Sequence, residues 1–374
     1  RVYDISNIDN KNFSEKMNTA PVSPLGQKFY VKTKNAVAIA SPTTLGVDPL
    51  RSHNPKNEEC PPGQLFCIPL FYGFLYVADL EEGLVIVGDR NLTGQSPGVG
   101  TLLDGNPNNN FLKRFEGYNP DGVLTGARRI TIVGHYAYIL ANSGLVVVDI
   151  SDPFSLKVTG QIKAPDLIDP QGVQVQFRYG FVVDKQGLKT IDVTDLAHPK
   201  LVPGSLVPLE DARNLYIART YAYVAGGKQG LVIVDVTHAE HPKLEEVYNE
   251  DEINDTRDVK LGMTASSAFA YLADGKHGLR IVELFGPNST PNFLGFSPKP
   301  KPKLIATFKT KGPALNISKG IDRDRAVDES GNQLTVFNRR GSRPFNQEEA
   351  ARLYRHKDGT LYWVSDTPIT PPRR

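Results

Sequence analysis

Short apolar runs alternate with turn residues along most of the chain, and the alternation repeats. Tyr136 to Asp149 reads as an apolar run, a Gly turn and a second apolar run. Phe74 to Gly88, Tyr179 to Asp192, Tyr221 to Asp235 and Phe269 to Glu283 follow the same pattern. The runs have strand length and are rich in Val, Ile, Tyr and Phe, which argues for β-structure over helix. Aligned on the turn residue, the units carry Gly83, Gly144, Gly187, Gly230 and Gly278, and the middle three are equally spaced. A repeat period of roughly 40 to 50 residues marks an array of supersecondary units and not a set of unrelated domains.

Each unit has room for four short strands. A first strand is predicted at Ile130–Val133, Val173–Phe177, Leu215–Ile217 and Val259–Leu261, followed by the two runs around the Gly turn. A fourth follows Pro199-Lys-Leu201, Pro242-Lys-Leu244 and Pro302-Lys-Leu304. Proline at the head of a strand suits an outer edge, which need not donate to a ladder. Four antiparallel strands per unit with no helix between units describe a propeller blade. The predicted fold class is therefore all-β, a β-propeller of four-stranded blades.

Weaker units flank the clear ones. Phe29 to Ala40 reads as a degenerate blade and Asn316 to Phe337 as a last one. Counting Phe29, Phe74, Tyr136, Tyr179, Tyr221, Phe269 and Arg325 predicts seven blades, with six or eight as alternatives. Residues 1–338 then form the propeller, with the N-terminal strand Arg1 to Ser6 closing the ring against the last blade. Because Val2-Tyr-Asp-Ile-Ser6 matches the tail of a repeat, further sequence is expected upstream. Residues 339–374 are read as a tail with one short helix and one strand, since Asn346-Gln-Glu-Glu349 has capping-box spacing ahead of Ala350 to Tyr354.

Composition narrows the partners. With 43 basic against 41 acidic residues and a net charge of +2, the 374-residue chain has no global field to attract nucleic acid or an anionic membrane surface. No run of about 18 apolar residues is present to span a bilayer. The two cysteines, Cys60 and Cys67, flank Pro-Pro-Gly-Gln-Leu-Phe. A disulfide-closed turn is expected over a zinc site, because two thiolates alone leave the metal under-coordinated. That pairing favours an oxidising compartment.

The runs Gly230 to Asp235 and Gly144 to Asp149, and more loosely Gly187 to Asp192 and Gly83 to Gly88, resemble the LVIVD-repeat family over about residues 60 to 310. The resemblance implies a β-propeller on an exported or cell-surface prokaryotic protein, and it implies almost nothing about activity. Relatives accompany multihaem cytochromes of the cell envelope. This chain carries no Cys-x-x-Cys-His for covalent haem, so any haem would sit on a partner.

Candidate chemistry is sparse. Gly94-Gln-Ser-Pro-Gly98 has nucleophile-elbow spacing around Ser96, but Pro97 removes the backbone N–H that an oxyanion hole needs. His241 in His238-Ala-Glu-His241 occupies the slot of His198 one unit earlier, which makes both turn residues. Asp104, Asn106 and Asn108 form the start of a calcium-type loop without its Gly and Glu, and Asp251 and Asp255 supply a second oxygen-rich stretch. Both are weak calcium candidates.

Repeat register offers more. Arg128, Gln171, Arg213 and Arg257 open the first, innermost strand of successive units. Lys228, Lys276 and His277 lie in the turn between strands two and three, at the same end of the blade. Together they predict a basic mouth to the axial channel, with Arg suited to carboxylate or phosphate. Alternatively, each Arg ties down a carbonyl or an Asp such as Asp211 or Asp258. The functional expectation is a non-enzymatic extracellular scaffold binding another protein, or other segments of a longer polypeptide, through a face enlarged by inserts at 89–126 and 249–256. The alternative is a hydrolase or lyase acting on an anionic or lactone substrate at the mouth, with His277 and Asp258 as its nearest bases.

Overall fold

The computed structural model describes residues 31–42, 71, 74–88, 114–250, 252–263, 267–286, 288 and 297–317, with the backbone of 339–340 and 343–344. These residues form successive four-stranded antiparallel meanders. The first comprises β1 (Ala36–Ala40), β2 (Leu75–Asp79), β3 (Gly83–Val87) and β4 (Arg114–Tyr118). The second comprises β5 (Arg129–Val133), β6 (Tyr136–Ala141), β7 (Gly144–Asp149) and β8 (Lys157–Ile162). In the third, β9 (Gly172–Gln176), β10 (Tyr179–Asp184) and β11 (Gly187–Asp192) are followed by an edge split into β12 (Lys200–Leu201) and β13 (Val207–Pro208). The fourth is β14 (Asn214–Ala218), β15 (Tyr221–Ala225), β16 (Leu231–Asp235) and β17 (Lys243–Tyr248). The fifth is β18 (Asp258–Met263), β19 (Ala268–Ala273), β20 (Leu279–Phe285) and β21 (Lys303–Phe308). A short pair, β22 (Arg339–Arg340) and β23 (Arg343–Pro344), stands apart.

First strands neighbour one another in chain order, β1 beside β5, then β9, β14 and β18. That is the hub-side arrangement of propeller blades. Side chains stitch it together: the Thr131 hydroxyl donates to Val173 O at 3.0 Å, and Gln174 Oε1 accepts from Ile217 N at 3.0 Å.

The core lies between blades. Ile139, Val146 and Val148 pack against Tyr76, Leu84 and Ile86 of the preceding blade, while Tyr138, Leu140, Leu145 and Val147 pack against Val173, Val175 and Val182 of the next. Alternate residues of β7 thus face opposite neighbours, and both faces are covered. This is why the third strand reads as an unbroken apolar run and not as the alternation of a half-exposed sheet. The same division places Leu188 and Val232 in one layer and Leu231, Ile233 and Leu272 in the next.

Two polar features of the repeat have local causes. The Asp that ends the third strand of the second, third and fourth blades turns the chain: Asp149, Asp192 and Asp235 accept through Oδ1 from Ser151 N, Thr194 N and Thr237 N at 2.7 to 2.8 Å. Such side-chain bonding two residues on is an Asx turn. The turn glycine is required at Gly230, where φ is +74° and a Cβ would lie 2.4 Å from Tyr248 O.

Two organisational expectations need correction. Ala36–Ala40 is not a separate blade, because it pairs with Leu75–Asp79 (Ile39 opposite Val77) as the first strand of that sheet. The long interval between β1 and β2 concealed the relationship. The inserts also do not share a face. The extra length in the 83–144 interval falls between Val87 and Arg114, the connection of strands three and four, whereas Arg114–Tyr118 is an ordinary fourth strand. In an up-and-down blade the end of strand three and the start of strand four lie opposite the turn between strands two and three, so Val87 and Arg114, which flank the long connection, lie at the other end of the blades from 252–256. The equivalent connection of the fifth blade reaches sideways at that opposite end, where Thr220 Oγ1 donates to Ser297 Oγ at 2.6 Å.

Among the described residues a 3-10 turn lies at Pro120–Gly122, and no helix is long and apolar enough to cross a membrane. Arg1 to Ser6, Cys60, Cys67, Ser96, Asp104, Asn106, Asn108, Asp251, Arg325 and the predicted tail helix at 346–354 lie outside the described residues.

Candidate functional site: the hub mouth

The segment leading into each first strand meets the turn between strands two and three at one end of the blades. Backbone bridges tie this turn to the lead-in of the next blade, Gly227 to Thr256 and Gly275 to Ala314. The second bridge sets Ala314-Leu315 in register with Thr256-Arg257. Leu315 therefore occupies the position held by Arg257, Arg213, Gln171 and Arg128 in earlier blades.

A cavity of about 590 Å³ opens at this end, and its lining includes Arg129, Gln171, Arg213, Arg257 and Leu315. Gln171, Arg213 and Arg257 are brought together as register predicts. Arg128 reaches sideways instead: its guanidinium bonds Asp169 of the following blade, Asn142 of its own, and Gly126 O at 3.3 Å. Lys228 and Lys276 are exposed on the rim turns, and half-buried His277 places Nε2 3.1 Å from Asn254 Oδ1. These three surround the opening without lining the cavity.

The cations do not stand alone. Arg213 donates Nε and Nη2 to Asp211 at 3.0 and 2.8 Å, a bidentate pair two residues apart. Arg257 donates Nε to Asp255 Oδ1 at 2.8 Å. In the third blade the sequence is Asp169-Pro-Gln171. Gln171 Nε2 bonds Asp169 O at 3.0 Å, leaving the Asp169 carboxylate to Arg128. Sequence reasoning named Asp211 as an acid that could tie down an Arg, as it does for Arg213, and overlooked that an Asp also stands two positions before Arg257 and Gln171, which the same alignment reveals.

The electrostatics follow from the pairs. The Asp211 hydrogen bond raises the Arg213 guanidinium above its usual pKa despite partial burial. Burial pushes the Asp255 carboxyl up, but the Arg257 hydrogen bond, the Lys276 N–H and the charges of Arg257 and Arg213 outweigh it and hold it below the ordinary carboxylate value. The approach is sterically built. Gly275 has φ +45°, and a Cβ there would lie 1.9 Å from Asp255 Oδ2.

A second set of aspartates holds the lead-ins in place. Asp274 is fully buried and accepts from Asp255 N at 2.9 Å and Thr256 Oγ1 at 3.1 Å. Asp79 accepts from Asn35 N at 2.6 Å, and Asp184 accepts from Ile168 N at 2.9 Å and from the buried Lys189 ammonium at 2.8 Å. Each carboxylate ends a second strand and anchors the loop that presents a mouth residue. Asp258, considered as a base, sits fully buried and accepts from Asn214 Nδ2, Val259 N, Lys260 Nζ and Ile317 N. It staples three successive hub segments together. Among the weak calcium candidates, the described Asp255 is engaged by Arg257 and Lys276 N.

What remains at the mouth is a rigid, hydrogen-bonded surface of alternating charge with an apolar spot. Of the cavity's acids, Asp169 faces Arg128, Asp184 faces Lys189 and Asp211 faces Arg213. Glu210 has no cation within ion-pair distance among the described residues. Against it stand Arg129 and Lys185, so the balance is slightly positive.

Comparison with known proteins bears on the repeat. The LVIVD repeat matches at residues 70–88, 126–163, 169–204, 210–250 and 255–295, one match in each described blade. No curated protein matches. Among solved structures, similarity extends to a functionally unknown protein from Desulfotomaculum acetoxidans (10% identity, TM-score 0.41, covering 66% of this chain and 71% of that one). It extends also to the β-propeller domain of Cps50 (Swd1) from Myceliophteria thermophila (8% identity, TM-score 0.41, 75% and 74% coverage). A third is YCF48 bound to a D1 peptide (11% identity, TM-score 0.37, 58% and 62% coverage).

Proposed function

This chain is an LVIVD-repeat protein with a β-propeller fold, and from that premise we propose that it is a non-enzymatic interaction scaffold of the cell surface or extracellular space. Its hub-mouth face docks a partner protein or another segment of a longer polypeptide. A multihaem cytochrome of the envelope is a partner class that the family resemblance suggests. The observation that carries the reading is the committed pairing of the mouth cations. Arg128, Arg213 and Arg257 are each held by an Asp in a geometry set by backbone contacts, so they form a preorganised, largely neutralised polar surface in which the outer edge of Arg257 stays open, and not a converging cluster of unpaired clamps. Rigid closed β scaffolds place recognition on such connecting segments, and preorganisation lowers the ordering cost of binding.

The test uses a photo-crosslinking residue placed at Lys228 or Lys276 on the mouth rim, and at Lys157 on an outer edge as control. In the native host, the rim positions should crosslink to one and the same protein and the edge position should not. Equal crosslinking from all three positions, or turnover of a lactone or anionic polymer by the purified chain, would refute the proposal.

A further inference from the structure

The geometry points to the ligand chemistry of this same site: the hub mouth binds an extended peptide segment in which a carboxylate stands next to an apolar side chain, the carboxylate on Arg257 and the apolar group on Leu315. This rests on the scaffold reading and adds what the partner must present.

The paired arginines differ in what they leave over. Arg213 commits Nε and one terminal nitrogen to Asp211. Arg257 commits only Nε to Asp255, and among the described residues its two terminal nitrogens make no hydrogen bond. Its side chain is 38% exposed and lines the cavity. A guanidinium whose Nε edge is fixed by one carboxylate presents its outer edge in a set orientation, and that edge matches a second carboxylate through two parallel N–H donors. Asp255 acts as the positioning residue here, itself braced by Asp274 and the tight turn at Gly275.

The local charge allows a second carboxylate. Asp169, Asp184 and Asp211 are each neutralised, and Arg129 with Lys185 outweighs Glu210. Specificity for an apolar neighbour comes from the break in the repeat. Where the preceding lead-ins set Arg128, Gln171, Arg213 and Arg257, the next sets Leu315, which is 60% exposed and lines the same cavity as Arg257. A Leu exposed to this extent beside oriented donors is an apolar contact point that folding of the described blades does not use. The cavity volume of about 590 Å³ lies within the usual range for small-ligand sites and suits a few residues of chain, not a whole domain.

The test titrates the full chain with three peptides by calorimetry: acetyl-Ala-Leu-Leu with a free C-terminal carboxylate, the same peptide as its amide, and acetyl-Ala-Leu-Asp as its amide. At least one carboxylate peptide should bind about tenfold or more tightly than the neutral amide. The two carboxylate peptides distinguish a chain terminus from an acidic side chain. Arg257→Gln should remove that advantage, Leu315→Asn should weaken binding severalfold without abolishing the carboxylate preference, and Lys228→Glu should change the ratio little. Arg257→Lys, which keeps the charge but not the fork, should recover only part of the affinity, which separates recognition from folding. Equal binding of amide and acid, or full binding by Arg257→Gln, overturns the assignment. So does the absence of binding by the wild type at millimolar peptide. If the rim crosslinks to its partner survive in Arg257→Gln while the peptides fail, the scaffold reading stands and this one falls.

Discussion

Replacing Asp258 by Ala should be among the most damaging single changes in the molecule, although Asp258 does not line the hub-mouth cavity. The carboxylate is fully buried and receives Val259 N at 2.8 Å, Lys260 Nζ at 2.9 Å, Ile317 N at 2.9 Å and the Asn214 side-chain amide. Truncation leaves the buried Val259 and Asn214 donors without an acceptor, at about 1–3 kcal/mol each. Ile317 N is half-buried, so water replaces part of its loss, at about 1 kcal/mol. The Lys260 ammonium retains some exposure and can turn to solvent, which reduces its share. The sum is about 4 kcal/mol, a large fraction of the roughly 5–15 kcal/mol that holds a typical domain. Asp258→Asn keeps one acceptor oxygen and should lose about half as much. Urea titrations read at constant slope supply the measurement. A loss below about 1 kcal/mol for Ala, or an Asn variant worse than Ala, would refute the idea that this carboxylate links the hub strands.

Further expectations come from the same contacts. Gly275→Ala should destabilise by about 1–2 kcal/mol, since it combines a positive φ with displacement of Asp255, and it should reduce peptide binding more than Lys276→Ala does. Lys189→Val restores the residue type found at Val232 but leaves buried Asp184 without its cation, and should cost about 3 kcal/mol by chemical denaturation. Asp79 and Asp255 both titrate below the ordinary carboxylate value. Burial pushes each up, and it is outweighed by backbone N–H donors and Arg114 for Asp79, and chiefly by Arg257 for Asp255. A depressed folded pKa stabilises fully above the unfolded value near ~4 and loses that contribution as pH falls towards the folded value. Melting temperature should therefore decline below about pH 4, and Asp79→Asn should flatten the decline while lowering stability at neutral pH.

The blades were readable from the chain because strand, turn and cap are each written within a few consecutive residues. The run Leu231–Asp235 carries its strand propensity, its Asx turn and its preceding Gly in one short stretch, and its unbroken apolarity already says that both faces are covered. The mouth was readable only in part. Register grouped Gln171, Arg213 and Arg257 correctly, since each occupies the same slot of a local unit. It did not show that Arg128 crosses to Asp169, that Ala36–Ala40 belongs with Leu75–Asp79, or that the two inserts attach at opposite ends of the blades. Those outcomes depend on pairings between residues about forty positions apart.

Chain order alone could thus specify the repeating unit, for a period of two and a glycine turn need no distant partner. The charge state of the mouth belonged to the assembled blades. A guanidinium in sequence is simply a cation, and whether it is an open clamp or half of an ion pair depends on a separation of about 3 Å set by the folded backbone, within one lead-in for Arg213 and Arg257 and between neighbouring blades for Arg128. Folding turned an expected basic funnel into alternating pairs with one outward edge at Arg257 and one apolar contact at Leu315.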